Sequence, residues 1–207
     1  LDLIVQQAQQ WELDHGLQNW LRQENTWCNC LVDRIVSGLP ERHPLLEQDK
    51  LLTAAEPYAL WAIESPNGLD GFMTHPDIVQ TKNVDPYSLR KVRILNGAHT
   101  SLVIRAIPMG IQTVREAVER DDLHAWLKEL LFEELCPVVE NQVEDAKKFA
   151  TQVLDRFANP FLNHKLSDIA LHQETKVQVR LVPTYHEYIE KFGTKPPLLH
   201  TILQEYL

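Results

Sequence analysis

The sequence predicts a mainly α-helical protein with one small β insertion, and three observations support that prediction. From Asp85-Pro86 onward, apolar residues recur at helical spacing almost to the end of the chain. Two apolar runs, Tyr58–Ile63 and Ile78–Val84, precede this pattern and are separated by turn residues. The chain has only seven glycines and no G-x-G-x-x-G after a strand, so it encodes no dinucleotide-binding unit of that kind.

The elements follow from local patterns along the chain. Residues 1–24 read as two helices, with Asp14-His-Gly16 as the break between them. Cys30–Ser37 continues as a buried segment, which Gly38-Leu-Pro40 ends. The two apolar runs then predict a small sheet or hairpin within about residues 51–84.

The second half of the chain is predicted to be helical. Asp85-Pro86 is a good helix start, because proline at the first turn loses no hydrogen bond there. The apolar periodicity predicts helices at 86–107, 111–119, 122–135, 137–157, 160–173, 176–192 and 197–206.

Composition narrows the class of protein. The chain has 207 residues, 44% of them hydrophobic, which is enough for one good core or two small ones. A net charge of −9 and scattered basic residues argue against a nucleic-acid partner. The sequence contains no run of eighteen apolar residues, so we expect no membrane partner and a cytoplasmic protein with reduced cysteines. The histidine spacing matches no zinc motif, so no metal site is predicted.

The stretch Lys91-Val-Arg-Ile-Leu-Asn96-Gly-Ala-His99 brings an amine, an amide and an imidazole together. In an α-helix, Asn96 would lie about 140° and His99 about 80° around the axis from Lys91, so all three share one side. A proton-carrying lysine, an amide donor to a developing alkoxide and a histidine that orients a hydroxyl would suit metal-free carbinol oxidation. By chance alone, such a trio is also common on solvated helix faces.

Four motifs make the chain resemble one family. The spacing Lys91-x4-Asn96-x2-His99 is similar to the signature of the polyol-specific long-chain dehydrogenases/reductases, the mannitol dehydrogenase family. The segments Asn29–Ile35, Ala55–Trp61 and Arg156–Pro160 resemble that family's N-x-x-V-D-R-I, E-P-[FY]-x-x-W and R-F-x-N-P motifs. Within the family, the strings RKVRILNGAHT and SDIALHQETK read most like the hexuronate oxidoreductases.

The resemblance implies a fold and a partner. Residues 1–207 would form the C-terminal, multi-helical substrate domain, of the mannitol dehydrogenase and 6-phosphogluconate dehydrogenase C-terminal-like type. The NAD-binding Rossmann domain would be absent from this chain. It would precede the chain in the same polypeptide and would hold the cofactor, NAD.

The resemblance also implies an activity on a small sugar acid. It is the NAD-dependent interconversion of D-altronate and D-tagaturonate, with Lys91 as general acid/base and Asn96 and His99 around the reacting oxygen. Further residues are expected to bind the substrate, namely Val32, Asp33, Arg156 and Lys176. A uronate carboxylate would need an arginine or lysine, and Arg34, Arg156 and Lys176 cannot be ranked from the sequence.

Two alternatives stay open at this point. The first is the same chemistry on D-mannonate or a hexitol. Polyol-oxidising relatives carry an arginine eight residues and a histidine five residues before the lysine that corresponds to Lys176, where this chain has Asp168 and Leu171. The second is a helical interaction module that has kept the fold and lost the activity.

Overall fold

A computed structural model describes residues 1–40, 42–65, 67–69 and 71–206. These residues are predominantly helical, with two small sheets in the first half, which confirms the predicted mainly α fold with a β part. Within the described part of the chain, no helix is long and apolar enough to cross a membrane.

The chain begins with two short helices, α1 (Asp2–Gln10) and α2 (His15–Gln23). Asp14 separates them, as predicted, because its carboxylate accepts a hydrogen bond from the backbone N–H of Leu17 and caps α2. Most of their apolar side chains are exposed, including Trp11 and Trp20.

The β part starts earlier than the sequence predicted. Two short strands, β1 (Cys30–Asp33) and β2 (Val36–Gly38), lie in the stretch predicted as a buried segment. That prediction is wrong for Val32 and Val36, which are exposed, whereas Asp33 and Ile35 are buried. The inside–outside alternation has the period of two that a strand imposes on its side chains.

The strands form two sheets. The later strands are β3 (Ala54–Ala55), β4 (Leu60–Glu64) and β5 (Ile78–Thr81). In the three-stranded sheet, β4 is central, antiparallel to β1 and parallel to β5. A parallel pair needs a crossover connection, so the two predicted strands form a sheet and not a hairpin. β2 pairs with β3 in the second sheet.

The middle of the molecule is one long helical rod. It consists of α3 (Asp85–Arg90), a π-helical segment (Lys91–Leu95) and α4 (Asn96–Ala106), in agreement with the helix predicted at 86–107. The side chains from Gly97 to Val103 are all buried. A helix that is enclosed on all sides lies inside the core, so the other helices pack around α4.

The remaining helices surround this rod. They are α5 (Val114–Val118), α6 (Asp121–Glu129), α7 (Cys136–Val139), α8 (Ala146–Phe157), α9 (Leu166–Ala170), α10 (Gln173–Arg180), α11 (Val182–Phe192) and α12 (Pro197–Tyr206). A second π-helical segment, Leu130–Leu135, joins α6 to α7. The core between them contains fully buried leucines such as Leu102, Leu127 and Leu131.

Three predicted helices are interrupted for identifiable reasons. The helix predicted at 160–173 is reduced to α9, because the Asn159 side chain accepts a hydrogen bond from the Phe161 N–H and makes a turn there. The one predicted at 137–157 breaks before α8, where Asp145 adopts a left-handed φ of 52°. The one predicted at 176–192 breaks at Leu181, because Pro183 has no N–H to continue the ladder.

Candidate active site

A pocket of about 450 Å³ lies where the central helical rod meets β1, β2 and the segment from α9 to α10. Lys91, Asn96 and His99 line it together, so the structure brings the predicted catalytic trio to one wall. The other predicted residues that line the pocket are Asp33 and Lys176, and Arg34 lines it as well. Side chains 143 positions apart in the sequence, Asp33 and Lys176, therefore share one cavity.

The π-helical segment determines how Lys91 and Asn96 are related. The backbone N–H of Asn96 donates to the carbonyl of Lys91, five residues earlier, and also to that of Val92. An i→i+5 hydrogen bond stacks its two residues one turn apart, so it removes most of the 140° separation of an α-helix. The spacing Lys-x4-Asn thus puts an amine and an amide side by side because the helix is wide here.

The amine of Lys91 is held by the end of β1. Its Nζ donates a hydrogen bond of 2.6 Å to the backbone carbonyl of Val32. The side chain of Val32 is 56% exposed, so this residue acts at the site through its carbonyl oxygen. The amine is therefore tethered to the pocket wall.

The imidazole of His99 is buried in the pocket wall. It stacks on Phe157 with 4.1 Å between ring centroids, and His164 meets it edge-on at 4.9 Å. Burial lowers the pKa of His99 well below 6.5, and the neighbouring His164 and Arg156 lower it further, so the ring is neutral. Its Nε2 is buried without a hydrogen-bond partner in the described residues. A buried nitrogen of this kind is a ready partner for a bound hydroxyl.

Arg156, which the sequence predicted to bind substrate, lies behind the pocket wall and not in it. It is 7% exposed and bonds two carboxylates at once, Asp33 at 2.8 Å and Glu56 at 2.7 Å. Its guanidinium also stacks over the ring of Tyr58 at 4.2 Å. Burial opposes its charge, but the hydrogen bonds to Asp33 and Glu56 outweigh burial and raise the pKa of Arg156.

This buried triad of Asp33, Glu56 and Arg156 holds the β1 end in place. Glu56 also accepts a hydrogen bond of 2.6 Å from the Ile35 N–H, and Arg34 donates its Nε to the Glu56 carbonyl. The three residues that follow Val32 are thereby all anchored to the triad. The triad does not contact Lys91, but it fixes the strand end whose Val32 carbonyl accepts the Lys91 hydrogen bond.

Two basic side chains of α10 also line the pocket. Lys176, which the sequence predicted, donates its Nζ to the Ile169 carbonyl at 2.6 Å. Arg180, which the sequence reading missed, lies one turn later and donates to the Thr100 hydroxyl at 3.1 Å. The signal that could have found it is its i+4 spacing from Lys176 on an otherwise polar helix.

No cofactor or metal cradle is apparent in the residues the structure describes. They contain no group of three His, Cys, Asp or Glu side chains that could hold a metal ion. The chain that follows β5 enters α3 through Lys82, Asn83 and Val84, without the glycine turn that receives a pyrophosphate. The site as described is a pocket of about 450 Å³ lined by polar and basic side chains.

The family model described as the mannitol dehydrogenase C-terminal domain matches residues 83–205, and the mannitol dehydrogenase Rossmann domain model matches residues 2–74. The chain belongs to the mannitol dehydrogenase family. The expectation of a purely C-terminal fold therefore needs correction, because the first third of the chain matches the Rossmann model. The absence of a G-x-G-x-x-G motif led to the wrong prediction that no Rossmann part is present. A segment of that domain can match the model without containing the motif.

Curated relatives include two altronate oxidoreductases. The one from Bacillus subtilis (strain 168) is 38% identical over 96% of this chain. The one from Halalkalibacterium halodurans is 35% identical over 96% of this chain. The chain spans about 43% and 40% of the lengths of these relatives, respectively.

Solved structures share the fold. Pseudomonas fluorescens mannitol 2-dehydrogenase, in a ternary complex with NAD and D-mannitol, superposes with a TM-score of 0.69 at 20% identity. D-sorbitol dehydrogenase in substrate-free form superposes with a TM-score of 0.76 at 23% identity. Both alignments cover 93% of this chain and 41% of the other.

Proposed function

We propose that this chain forms the substrate-binding and catalytic part of an NAD-dependent oxidoreductase that interconverts D-altronate and D-tagaturonate. Membership of the mannitol dehydrogenase family and similarity to altronate oxidoreductases support the reaction class and the substrate. The observation that carries the proposal is the single pocket lined by Lys91, Asn96 and His99.

Oxidation of a secondary alcohol removes a hydride from carbon and a proton from oxygen. Lys91 is the proposed acceptor of that proton, because its amine is tethered at the pocket wall by the Val32 carbonyl. The amide of Asn96 has no side-chain partner among the described residues and would donate to the oxygen as negative charge develops. Neutral His99 would bind an adjacent hydroxyl.

NAD supplies the hydride acceptor in this proposal. The described residues form no dinucleotide cradle, so we assign its binding mainly to the portion of the Rossmann domain that lies beyond the segment matched at residues 2–74. This assignment agrees with the share of the relatives' length that the chain spans. The residues described here would then bind, orient and deprotonate the alcohol.

The test is Lys91→Ala in the full-length oxidoreductase, assayed with D-altronate and NAD. We expect kcat to fall to less than a tenth of the wild-type value while NAD affinity, measured by fluorescence titration, is retained. Lys128→Ala removes an exposed lysine of α6 and is the matched control, with kcat expected to stay unchanged. A Lys91→Ala enzyme that keeps more than a tenth of wild-type kcat contradicts the proposed proton transfer.

The substrate assignment has its own test. Wild-type enzyme is assayed with D-altronate, D-mannonate and D-mannitol, and kcat/KM is expected to be highest for D-altronate. A preference for mannonate or mannitol would contradict the proposed substrate but would still agree with the proposed oxidoreductase reaction. No turnover of any of them would favour an interaction module without activity.

A further inference from the structure

The pocket carries more positive than negative charge. Its charged lining consists of Asp33, Arg34, Lys91, Asp168, Lys176 and Arg180. Asp33 shares Arg156 with Glu56, so the buried triad keeps one net negative charge, and Asp168 is exposed to screening water. Four basic side chains therefore face two negative charges, and an anionic ligand would reduce the imbalance.

Arg180 is a half-buried cation of this pocket. In the part of the chain that the structure describes, its side chain makes one hydrogen bond, from Nη1 to the neutral hydroxyl of Thr100. Among the described residues, no carboxylate lies within ion-pair distance of it. Burial accordingly lowers the pKa of Arg180, whereas the two carboxylate partners of Arg156 raise the pKa of that residue.

The other basic candidates are engaged or exposed. Arg156 is enclosed by Asp33 and Glu56 behind the wall. Arg34 is exposed, and its Nε is taken by the Glu56 carbonyl. Lys176 shares the α10 face with Arg180, and burial together with the Arg180 charge lowers its pKa. A guanidinium also matches the planar carboxylate with two parallel hydrogen bonds, which an ammonium cannot do.

We propose that Arg180, assisted by Lys176, binds the carboxylate of the substrate and so selects a sugar acid over a neutral polyol. This inference rests on the proposed function. The Nε and NH2 groups of Arg180 have no acceptor among the described residues, which leaves one edge of the guanidinium for a ligand. Lys91, His99 and Arg180 line the same pocket, and Arg180 bonds Thr100, the residue next to His99, so one small substrate can meet the cation and the proposed catalytic residues together.

The experiment compares Arg180→Met, Arg180→Gln and Arg180→Lys in the full-length enzyme. For Arg180→Met we expect the KM for D-altronate to rise about ten- to a hundredfold, as loss of a charged hydrogen bond predicts, with kcat changed much less. Arg180→Lys should show an intermediate KM. Turnover of D-mannitol, which has no carboxylate, should be unaffected, so the preference for acid over polyol falls.

Arg120→Met is the matched control, because it removes an exposed arginine that pairs only with Asp122. Its KM should equal that of the wild type, and thermal unfolding midpoints check that every variant folds. If Arg180→Met does not fold, Arg180→Gln and Arg180→Lys decide the question.

The outcomes separate the two proposals. A wild-type enzyme without activity on D-altronate refutes the proposed function before any variant is measured. An active wild type whose Arg180 variants keep their KM within about twofold, or lose kcat with KM unchanged, overturns the assignment of Arg180. If Arg34→Met raises the KM for D-altronate strongly and Arg180→Met leaves it unchanged, Arg34 and not Arg180 binds the substrate carboxylate.

Discussion

At the scale of single residues, the protonation of His99 links the pocket to stability. The ring is 5% exposed between Phe157 and His164, and burial lowers its pKa well below 6.5. In the unfolded chain the same group would take up a proton near pH 6.5. The native state thus keeps His99 neutral over a range of pH where the unfolded state charges it.

We predict that stability decreases as the pH falls from 7 to 5. Above pH 6.5 neither state binds this proton, and below it the unfolded state binds more, so unfolding is favoured by up to about 1.4 kcal/mol per pH unit. His99→Gln should flatten the dependence, measured by urea unfolding at pH 7, 6 and 5. His15→Gln, an exposed position on α2, is the control and should keep the wild-type slope. Equal slopes for wild type and His99→Gln would contradict the prediction.

Other single residues show what the sequence can and cannot predict. The spacing of Lys91, Asn96 and His99 predicted a shared face because the three residues lie within one helical turn or two. Arg156 was predicted to contact substrate because a uronate carboxylate needs an arginine or lysine. Its actual partners, Asp33 and Glu56, are 123 and 100 residues away in the sequence. No local pattern reveals that these carboxylates already neutralise it. The i+4 spacing of Arg180 from Lys176 was a local signal, but the absence of a carboxylate near its guanidinium, among the described residues, shows only in three dimensions.

At the scale of elements, the second π-helical segment supports the last helix. Glu134 in this segment is 3% exposed. It accepts hydrogen bonds of 2.7 Å from the backbone N–H groups of both Leu198 and Leu199. Free N–H groups at a helix start favour a negative charge, so Glu134 caps α12 from a distant element.

Removing this carboxylate should loosen α12. For Glu134→Ala we predict a loss of about 1–3 kcal/mol of unfolding free energy, because two buried N–H groups lose their acceptor. Urea unfolding followed by far-ultraviolet circular dichroism measures it. Glu133→Ala, at the exposed neighbouring position, should change stability little. Equal effects of the two substitutions would show that Glu134 does not act as a cap.

The helices and strands were predictable from the sequence where a single local rule determines where an element starts. Asp14 and Asp85-Pro86 marked helix starts correctly, because capping and proline geometry act within one turn. The strand at Cys30–Asp33 escaped prediction because it is short, and its pairing with Leu60–Glu64 joins residues about thirty positions apart. The π-helical turn at Lys91–Leu95 was also not predicted. Apolar periodicity does not reveal one extra residue in a buried turn.

At the scale of the whole molecule, the buried triad joins the two parts that match different family models. Asp33 and Glu56 belong to the part that matches the Rossmann model, and Arg156 belongs to the part that matches the C-terminal model. The same Arg156 stacks on Tyr58. One guanidinium therefore fastens the sheet region to the helical core and keeps the Val32 carbonyl opposite Lys91.

We predict that Arg156→Met lowers the stability of the sheet region more than that of the helical core. It leaves two carboxylates buried without their cation, and loss of one partner of a buried pair typically destabilises by about 3–5 kcal/mol. We predict that amide exchange accelerates in β1, β4 and β5, while α4 and α8 stay protected, as hydrogen–deuterium exchange with mass spectrometry would show. Arg120→Met is the matched surface control and should leave both regions unchanged. Uniform acceleration across sheet and helices would mean that the triad stabilises the molecule as one unit and does not link two separable parts.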